Sequence, residues 1–552
     1  MTEILSGDAL SPGAVLALYP PHRDTLPSLL SSRVAVCPDR EAVRFEGRSW
    51  TYGDLERASL LVAQWFTAQG LAPGARVAHV ATNSDTTLIV FLAVARLGAV
   101  FVPLNSALTD DDLTYQLGHC KAEMVLTSHD LVSRIETLWS PRDPAATTVS
   151  LDAFGHGTAT SAEALALMRA TLRGVALDLP PPTPDSPLVV IYTSGTTGRP
   201  KGVLHSHRNF VWASEVFVSR LWLQPTERLL TVFPLFHINA LAYSFGGALA
   251  CGGTFITVSR FSASTFWQTA VETEATQLNI LAALGNILGR RPRSEFRAGH
   301  RIRKIYGGPI SDEMFRLFRE EFGVPCLIEG YGMSEIPATF SNPFDGPQKP
   351  GSIGVAAAHP RLSDTQVAVR VVDDDGRPVP VGEPGELLVK SPLAFLGYLD
   401  DEAQTREAFD DGWFRTGDLV KADGGGYHYF VARKKDIIRR RGENISGAEI
   451  DAVLLKHPEV VNAAAVAVPS ELGDDEIMVV LVRQPDSTLD HEAVLDWCRV
   501  LLASIKVPRF IAFADRLPMT PSHRVAKHVL ARDAAVRAQA RDMSVTASAP
   551  EA

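Results

Sequence analysis

The sequence predicts an α/β protein with a large N-terminal domain of doubly wound sheets, a small β-barrel-like subdomain and a small α+β C-terminal domain. Three observations carry that expectation. At 552 residues, 46% of them hydrophobic and 21% charged, the chain exceeds what a single core supports. Helix-length apolar runs alternate with β-rich runs across glycines, which is the rhythm of parallel α/β sheets. Short β runs separated by turn residues then replace that rhythm further along the chain.

In chain order, residues 85–105 read as a buried helix, Gly98, and a short β run ending at Pro103. The stretch L-P-P-P-T-P-D-S-P, Leu179 to Pro187, has too many fixed φ angles to be an element and serves as a connector. P-L-V-V-I-Y after it is a buried strand. Ala240 to Val258 carries no charge and is long enough to suggest a membrane span. Its pairs Gly246-Gly247 and Gly252-Gly253 instead predict a short buried helix followed by a strand. Between Phe266 and Tyr306, T-Q-L-N-I-L-A-A-L and I-R-K-I-Y-G-G-P are each expected to be strands. From Thr365 to Leu399, T-Q-V-A-V-R-V-V and G-E-L-L-V-K alternate with turn chemistry and predict the small subdomain. A boundary near Lys435 divides residues 1–434 from a domain of residues 435–535, and the polar stretch 536–552 is expected to be a disordered tail.

Composition narrows the function. A formal net charge of −10 leaves no electrostatic footprint for a polyanion, so nucleic acid is an unsuitable partner and small molecules are expected. The N-terminus has no basic segment followed by an apolar core, which points to the cytoplasm. Cys37, Cys120, Cys251, Cys326 and Cys498 lie far apart and read as buried thiols. A homodimer is admitted, and no residue pattern specifies an oligomeric state.

The sharpest chemical signal is T-S-G-T-T-G-R-P-K-G, Thr193 to Gly202, directly after the buried strand. Its glycines let backbone N–H groups approach an anion closely, its hydroxyls donate, and Lys201 adds a mobile positive charge. That inventory suits a polyphosphate. It is not the Walker form, because Pro200 stands where that loop needs glycine before the lysine.

The complete ten-residue string resembles the signature of the adenylate-forming superfamily of acyl-CoA synthetases, aryl-CoA ligases, luciferases and peptide-synthetase adenylation domains. Further motifs follow in that family's order from about Arg40 to about Lys527. The resemblance implies an ATP-dependent ligase. A carboxylic acid is activated as acyl-AMP with release of pyrophosphate and then transferred to the CoA thiol, with Mg2+ neutralising phosphate charge. It assigns Thr193, Ser194, Gly195, Thr196, Thr197 and Gly198 to the phosphates and Lys201 to catalysis. Y-G-M-S-E supplies Tyr331, Gly332, Met333, Ser334 and Glu335, with Ser334 at the α-phosphate and Glu335 holding Mg2+. Gly308 and Pro309, with Glu329, Gly330 and Tyr331, are the implied adenine walls.

In W-F-R-T-G-D and V-A-R-K-K-D, Asp418 and Arg433 are implied to hold the ribose, and Lys435 is the hinge of a mobile C-terminal domain that rotates between two half-reactions. R-G-E-N-I-S places Arg441 and Gly442 at CoA, with Gly447 standing where relatives often have proline. F-P-L-F-H-I-N-A places His237, Asn239 and Tyr243, together with Gly307 and Gly332, around the acid, with His237 at its carboxylate. The run as a whole is most similar to carnitine-CoA and crotonobetaine-CoA ligases.

One departure matters. The family's P-x-T-x-[ST]-G-K reads P-M-T-P-S-H-R here, with His523 for the glycine and Arg524 for the catalytic lysine. An arginine keeps the charge but not the shape. Three outcomes stand open: Arg524 acts, Lys527 takes over, or the substrate differs. The last admits a diazotase-type enzyme that activates nitrite for reaction with an aryl amine. A nucleotide-binding homologue without activity is a further alternative.

Overall fold

The computed structural model describes residues 9–139, 147–176, 180–193, 199–362, 367–440, 443–469, 475–519 and 525–544. Contacts divide the chain into two compact units, residues 1–369 with 389–414 and 425–428, and residues 370–388 with 415–424 and 429–552.

The first unit holds two large, mainly parallel sheets flanked by helices. One runs Gly397–Tyr398, Lys201–Ser206, Pro187–Thr193, Val100–Leu104, Arg76–Val80, Met124–Thr127, Thr147–Ser150. The other carries the parallel strands Thr254–Thr257, Arg228–Thr231, Gln277–Ile280, Lys304–Gly307 and Cys326–Tyr331 side by side.

The helix Asp85–Leu97 starts where Ser84 accepts a hydrogen bond from Thr87 N–H and ends at Gly98, whose φ of 71° is left-handed. All but one of its side chains are buried, because the sequence is apolar around the whole helix. The strand Val100–Leu104 follows, as its β-rich run predicts. At the start of the helix, Arg48 is buried against Asp85, whose carboxylate also accepts from the Trp50 indole at 2.6 Å.

Ala240 to Val258 folds as expected in outline, with a π-helical turn Asn239–Phe245, a helix Gly246–Cys251 and a strand Thr254–Thr257. Gly246 and Gly247 do not interrupt it. A side chain at either would collide with Ser214 or Phe217, so these glycines let two helices approach, while Gly252-Gly253 makes the turn. Among the described residues no helix is long and apolar enough to cross a membrane. In T-Q-L-N-I-L-A-A-L only Gln277–Ile280 is a strand. The Ala-Leu continuation becomes the helix Ala282–Arg290, in keeping with its stronger helix propensity.

The second unit holds most of the sheet formed by Ala368–Val372, Gly385–Lys390, Trp413–Ala422 and His428–Arg433. It also holds a four-stranded sheet in the order Val460–Pro469, Asp475–Arg483, Phe510–Phe513, Arg541–Asp542. Helices Gly447–Leu454 and His491–Leu501 bury Ile450, Leu454, Val494 and Leu495 against it. The helix Ala534–Gln539 and the strand Arg541–Asp542 occupy the start of the stretch whose composition reads as a tail. All five cysteines are buried and free of disulfides.

Candidate active site

The glycine-rich stretch joins two antiparallel strands, Pro187–Thr193 and Lys201–Ser206, with Thr193 opposite Lys201. Ser194, Gly195, Thr196, Thr197 and Gly198 lie outside the described residues. The outgoing strand is held from two sides. Leu399 N–H donates to Gly202 O at 2.8 Å, which fixes Gly397–Tyr398 beside it. The His205 ring contacts Ser334 O at 2.7 Å. A carbonyl only accepts, so Nε2 carries the proton, and burial pulls this imidazole down to about 4, which keeps it neutral.

These ties bring the glycine strand to Y-G-M-S-E. The Lys201 ammonium lies 4.9 Å from the centre of the Tyr398 ring, and the Tyr398 hydroxyl donates to Glu335 Oε1 at 3.1 Å. The Phe395 N–H donates to Glu335 O at 2.8 Å, so the segment that carries Tyr398 also braces the Glu335 backbone. Burial lowers the Lys201 pKa and the Glu335 carboxylate opposes that shift. Burial raises the Tyr398 pKa, with the Glu335 charge adding to it, so the phenol stays protonated and donates. A cation, a phenol and a carboxylate thus converge where the resemblance implies phosphates and a metal.

The strands Lys304–Gly307 and Cys326–Tyr331 run in parallel register, with Gly307 opposite Glu329. A side chain at Gly308 would meet Gly330 O at 2.5 Å, and one at Gly307 would strike Ile280 O. Bare backbone is therefore required where the adenine walls are predicted. Pro309 follows Gly308 through a cis peptide. The Glu329 side chain is only 4% exposed and turns inward, where Oε1 accepts from Ile310 N–H at 3.2 Å and burial pushes its pKa up to about 7. Only the backbone of Glu329 fits the role of a wall. Met333 and Ile336 exchange backbone hydrogen bonds, which closes the turn around Ser334.

His237, Asn239 and Tyr243 sit on the entry to and first turns of the π-helical segment. His237 stacks obliquely on Phe236 at 4.5 Å. Asn239 Oδ1 accepts from the fully buried Asn279 at 2.8 Å, and Asn279 also donates to Ser244. The Tyr243 hydroxyl accepts from Ala338 N–H at 2.6 Å and occupies the space beside Gly332, where a Cβ would approach it to 2.8 Å. Asn83 holds the loop from both ends, donating to Phe233 O at 2.9 Å and accepting from Leu235 N–H at 2.8 Å.

In the second unit Arg433 Nε stands 3.4 Å from Asp418 Oδ1, and Asp418 is 2% exposed. The two predicted ribose residues are therefore neighbours. Lys435 lies exposed in the turn Lys434–Asp436, whose Lys434 is tied to Asp374 and Glu386. Arg441, Gly442, His523 and Arg524 lie outside the described residues. Lys527 Nζ pairs with Asp451 Oδ2 at 2.5 Å, and Asp451 also accepts from Ala465 N–H. A Cβ at Gly447 lies 3.2 Å from that ammonium, so the bare glycine leaves room for the pair. Lys527→Met is expected to lower stability by about 1–3 kcal/mol, since it strands a largely buried carboxylate. Denaturant unfolding checks this, and an unchanged midpoint would show that the pair contributes nothing.

Residues 30–399 match the AMP-binding enzyme family, and residues 449–524 match the AMP-binding enzyme C-terminal domain. The chain belongs to the AMP-binding enzymes. It is 36% identical over 510 residues to the sulfoacetate–CoA ligase of Cupriavidus necator, covering 91% of this chain and 97% of that protein. It is 34% identical to the indoleacetate–CoA ligase of Aromatoleum aromaticum, covering 89% and 94%. Among solved structures, ATP-bound MatB from Rhodopseudomonas palustris aligns with a TM-score of 0.80 at 28% identity, covering 92% of this chain and 98% of that one.

Around the candidate site of this AMP-binding enzyme stand residues that sequence reasoning missed. Tyr398, His205 and Asn83 belong to none of the motifs used above, and Asn279 lies in a stretch read only as a strand. The G-Y dipeptide of Gly397-Tyr398, following a β run, was the one available hint, and nothing local distinguishes it from a turn.

Proposed function

We propose that this AMP-binding enzyme uses ATP to convert a carboxylic acid into an acyl adenylate and pyrophosphate, and then passes the acyl group to the thiol of CoA. The observation that carries the reading is the Lys201–Tyr398–Glu335 cluster at the end of the glycine-rich hairpin, in a chain of this family. The relatives named above are CoA ligases, which supports the thiol acceptor. Neither nitrite activation nor an inactive homologue draws support from them.

In this reading the carboxylate attacks the α-phosphorus in line while fixed positive charge offsets the charge building on phosphorus. Lys201 supplies one such charge, held over the Tyr398 ring, and Arg524 supplies a second. Among the described residues no cluster of three or more metal-ligating side chains occurs, so the fit for Mg2+ rests on Glu335, a hard oxygen donor. Glu335 would hold the ion together with phosphate oxygens, and its chemistry would be to neutralise the departing pyrophosphate. Asp418 and Arg433 hold the ribose, with the carboxylate accepting from its hydroxyls. His237, Asn239 and Tyr243 border the acid, and thioester formation follows a rotation about Lys435 that brings Arg441 and Gly442 to CoA. The five buried thiols suit the cytoplasm. A homodimer is the assembly to test by sedimentation.

The deciding experiment is a screen of carboxylic acids with ATP, Mg2+ and CoA, scored for AMP, pyrophosphate and thioester. AMP and pyrophosphate in equal amounts with a CoA thioester are expected. Formation of ADP, or release that requires nitrite and an aminoaryl acid instead, overturns the proposal.

A further inference from the structure

Among the described residues, the buried arginines and lysines other than Arg220 have partners. Arg33 donates to the carbonyls of Leu249 and Ala250, Arg48 pairs with Asp85, Lys304 with Glu227 at 2.7 Å, and Arg440 donates to Ile505 O and Val507 O. Arg220, 7% exposed, enters no ion pair among the described residues, and its Nε and Nη2 have no hydrogen-bond partner. Burial draws its pKa down to about 10, so it remains a cation at neutral pH. A buried charge without a counter-charge costs several kcal/mol or more, which calls for an explanation in each instance.

Its position supplies one. Arg220 lies near the end of the helix His207–Leu221, on the same face as Phe217 three residues earlier. Phe217 stacks on Tyr243 at 5.3 Å and meets the edge of Tyr306 at 5.1 Å, and the two tyrosines are 5.9 Å apart. Both tyrosines lie within electrostatic range of Arg220, and burial keeps both phenols protonated and uncharged. Their hydroxyls reach the Gly330–Gly332 backbone, beside the residues assigned above to the acid. The aromatic trio therefore adjoins both the uncompensated cation and the residues proposed to border the acid.

We propose that Arg220 is the specificity determinant for a second anionic group, a sulfonate or carboxylate, at the far end of the acid that this enzyme activates. The inference rests on the adenylating reading above. The guanidinium fork suits a planar carboxylate or a sulfonate, since two parallel N–H groups donate to two oxygens. The near carboxylate meets ATP, while the distal anion satisfies the Nε and Nη2 donors. An acid ending in a methyl or amide group leaves the charge stranded, and discrimination of that kind is large.

The test pairs substrates of nearly equal shape and different charge: succinate against succinamate, and sulfoacetate against methylsulfonylacetate. Pyrophosphate release is measured as kcat/KM for the full chain, for Arg220→Met and for Arg220→Lys. The wild type is expected to prefer the doubly charged member of at least one pair by about 100-fold or more. Arg220→Met is expected to bring that ratio to within about threefold of unity, and Arg220→Lys to keep part of it. A merely structural arginine would lower the rate for both members of a pair without moving their ratio. If Arg220→Met does not fold, the wild-type ratio and the lysine variant decide. A wild-type ratio near one for both pairs, or an unchanged ratio in a folded Arg220 variant, overturns the inference while the adenylating function stands. Absence of pyrophosphate with every acid overturns both.

Discussion

Lys201→Met is expected to slow adenylate formation by about 100- to 1000-fold, the cost typical of removing one donor that stabilises developing charge. The ammonium sits at the first residue of a strand whose register is set by Thr193 on one side and Gly397–Tyr398 on the other. Its position over the Tyr398 ring limits its reach, and Glu335 lies one hydrogen bond beyond that ring. The methionine keeps the length and apolar stem and removes the charge, so the fold should survive. Tyr398→Phe provides the companion measurement. It keeps the ring under Lys201 and deletes only the hydroxyl bonded to Glu335, so a smaller loss of about tenfold is expected, with KM for ATP rising. Single-turnover pyrophosphate release at saturating ATP separates these effects. A Lys201→Met enzyme with the wild-type single-turnover rate would remove Lys201 from the chemistry.

Arg524→Ala is expected to reduce adenylate formation by about 100-fold or more while thioester formation from supplied acyl-AMP stays within about threefold of the wild type. The asymmetry follows from what each half-reaction needs. Attack on the α-phosphorus accumulates negative charge between carboxylate and phosphate, whereas the thiol attacks a mixed anhydride that is already formed. Lys527, the other basic residue of the P-S-H-R-V-A-K segment, is tied to Asp451, which leaves Arg524 as the cation we assign to the first step. Equal losses in both half-reactions would contradict that assignment. Arg524→Lys, which restores the residue the family usually carries, should recover more of the first step than alanine does.

Much of the architecture was legible because it is written locally. Asp85–Leu97 could be read from a continuous apolar run, and its end from Gly98, since a left-handed terminus favours glycine. The strand Pro187–Thr193 and the loop after it were legible for the same reason, a β-branched run feeding glycines and hydroxyls, whereas the antiparallel return strand Lys201–Ser206 was not expected. Errors arose where neighbours decide. Gly246 and Gly247 read as helix breakers, yet they serve close packing against Ser214 and Phe217, which come from a distant stretch of chain. The Gln277–Ile280 strand was expected to run on, and the helix Ala282–Arg290 cut it short.

The candidate site divides along the same line. The polyphosphate loop with Lys201 could be read from residue types, whereas Glu335, Asp418 and Arg433 were named by the resemblance, and the last two prove to be neighbours. The sequence could not say that a tyrosine would bridge Lys201 to Glu335, that Lys527 would be taken by Asp451, or that Arg220 would be buried with Nε and Nη2 unpartnered among the described residues. Side-chain chemistry and local periodicity belong to each residue and its near neighbours, so the chain by itself determines them. Which charges are matched and which are left over depends on burial and on contacts between residues remote in sequence, and only the tertiary structure decides that.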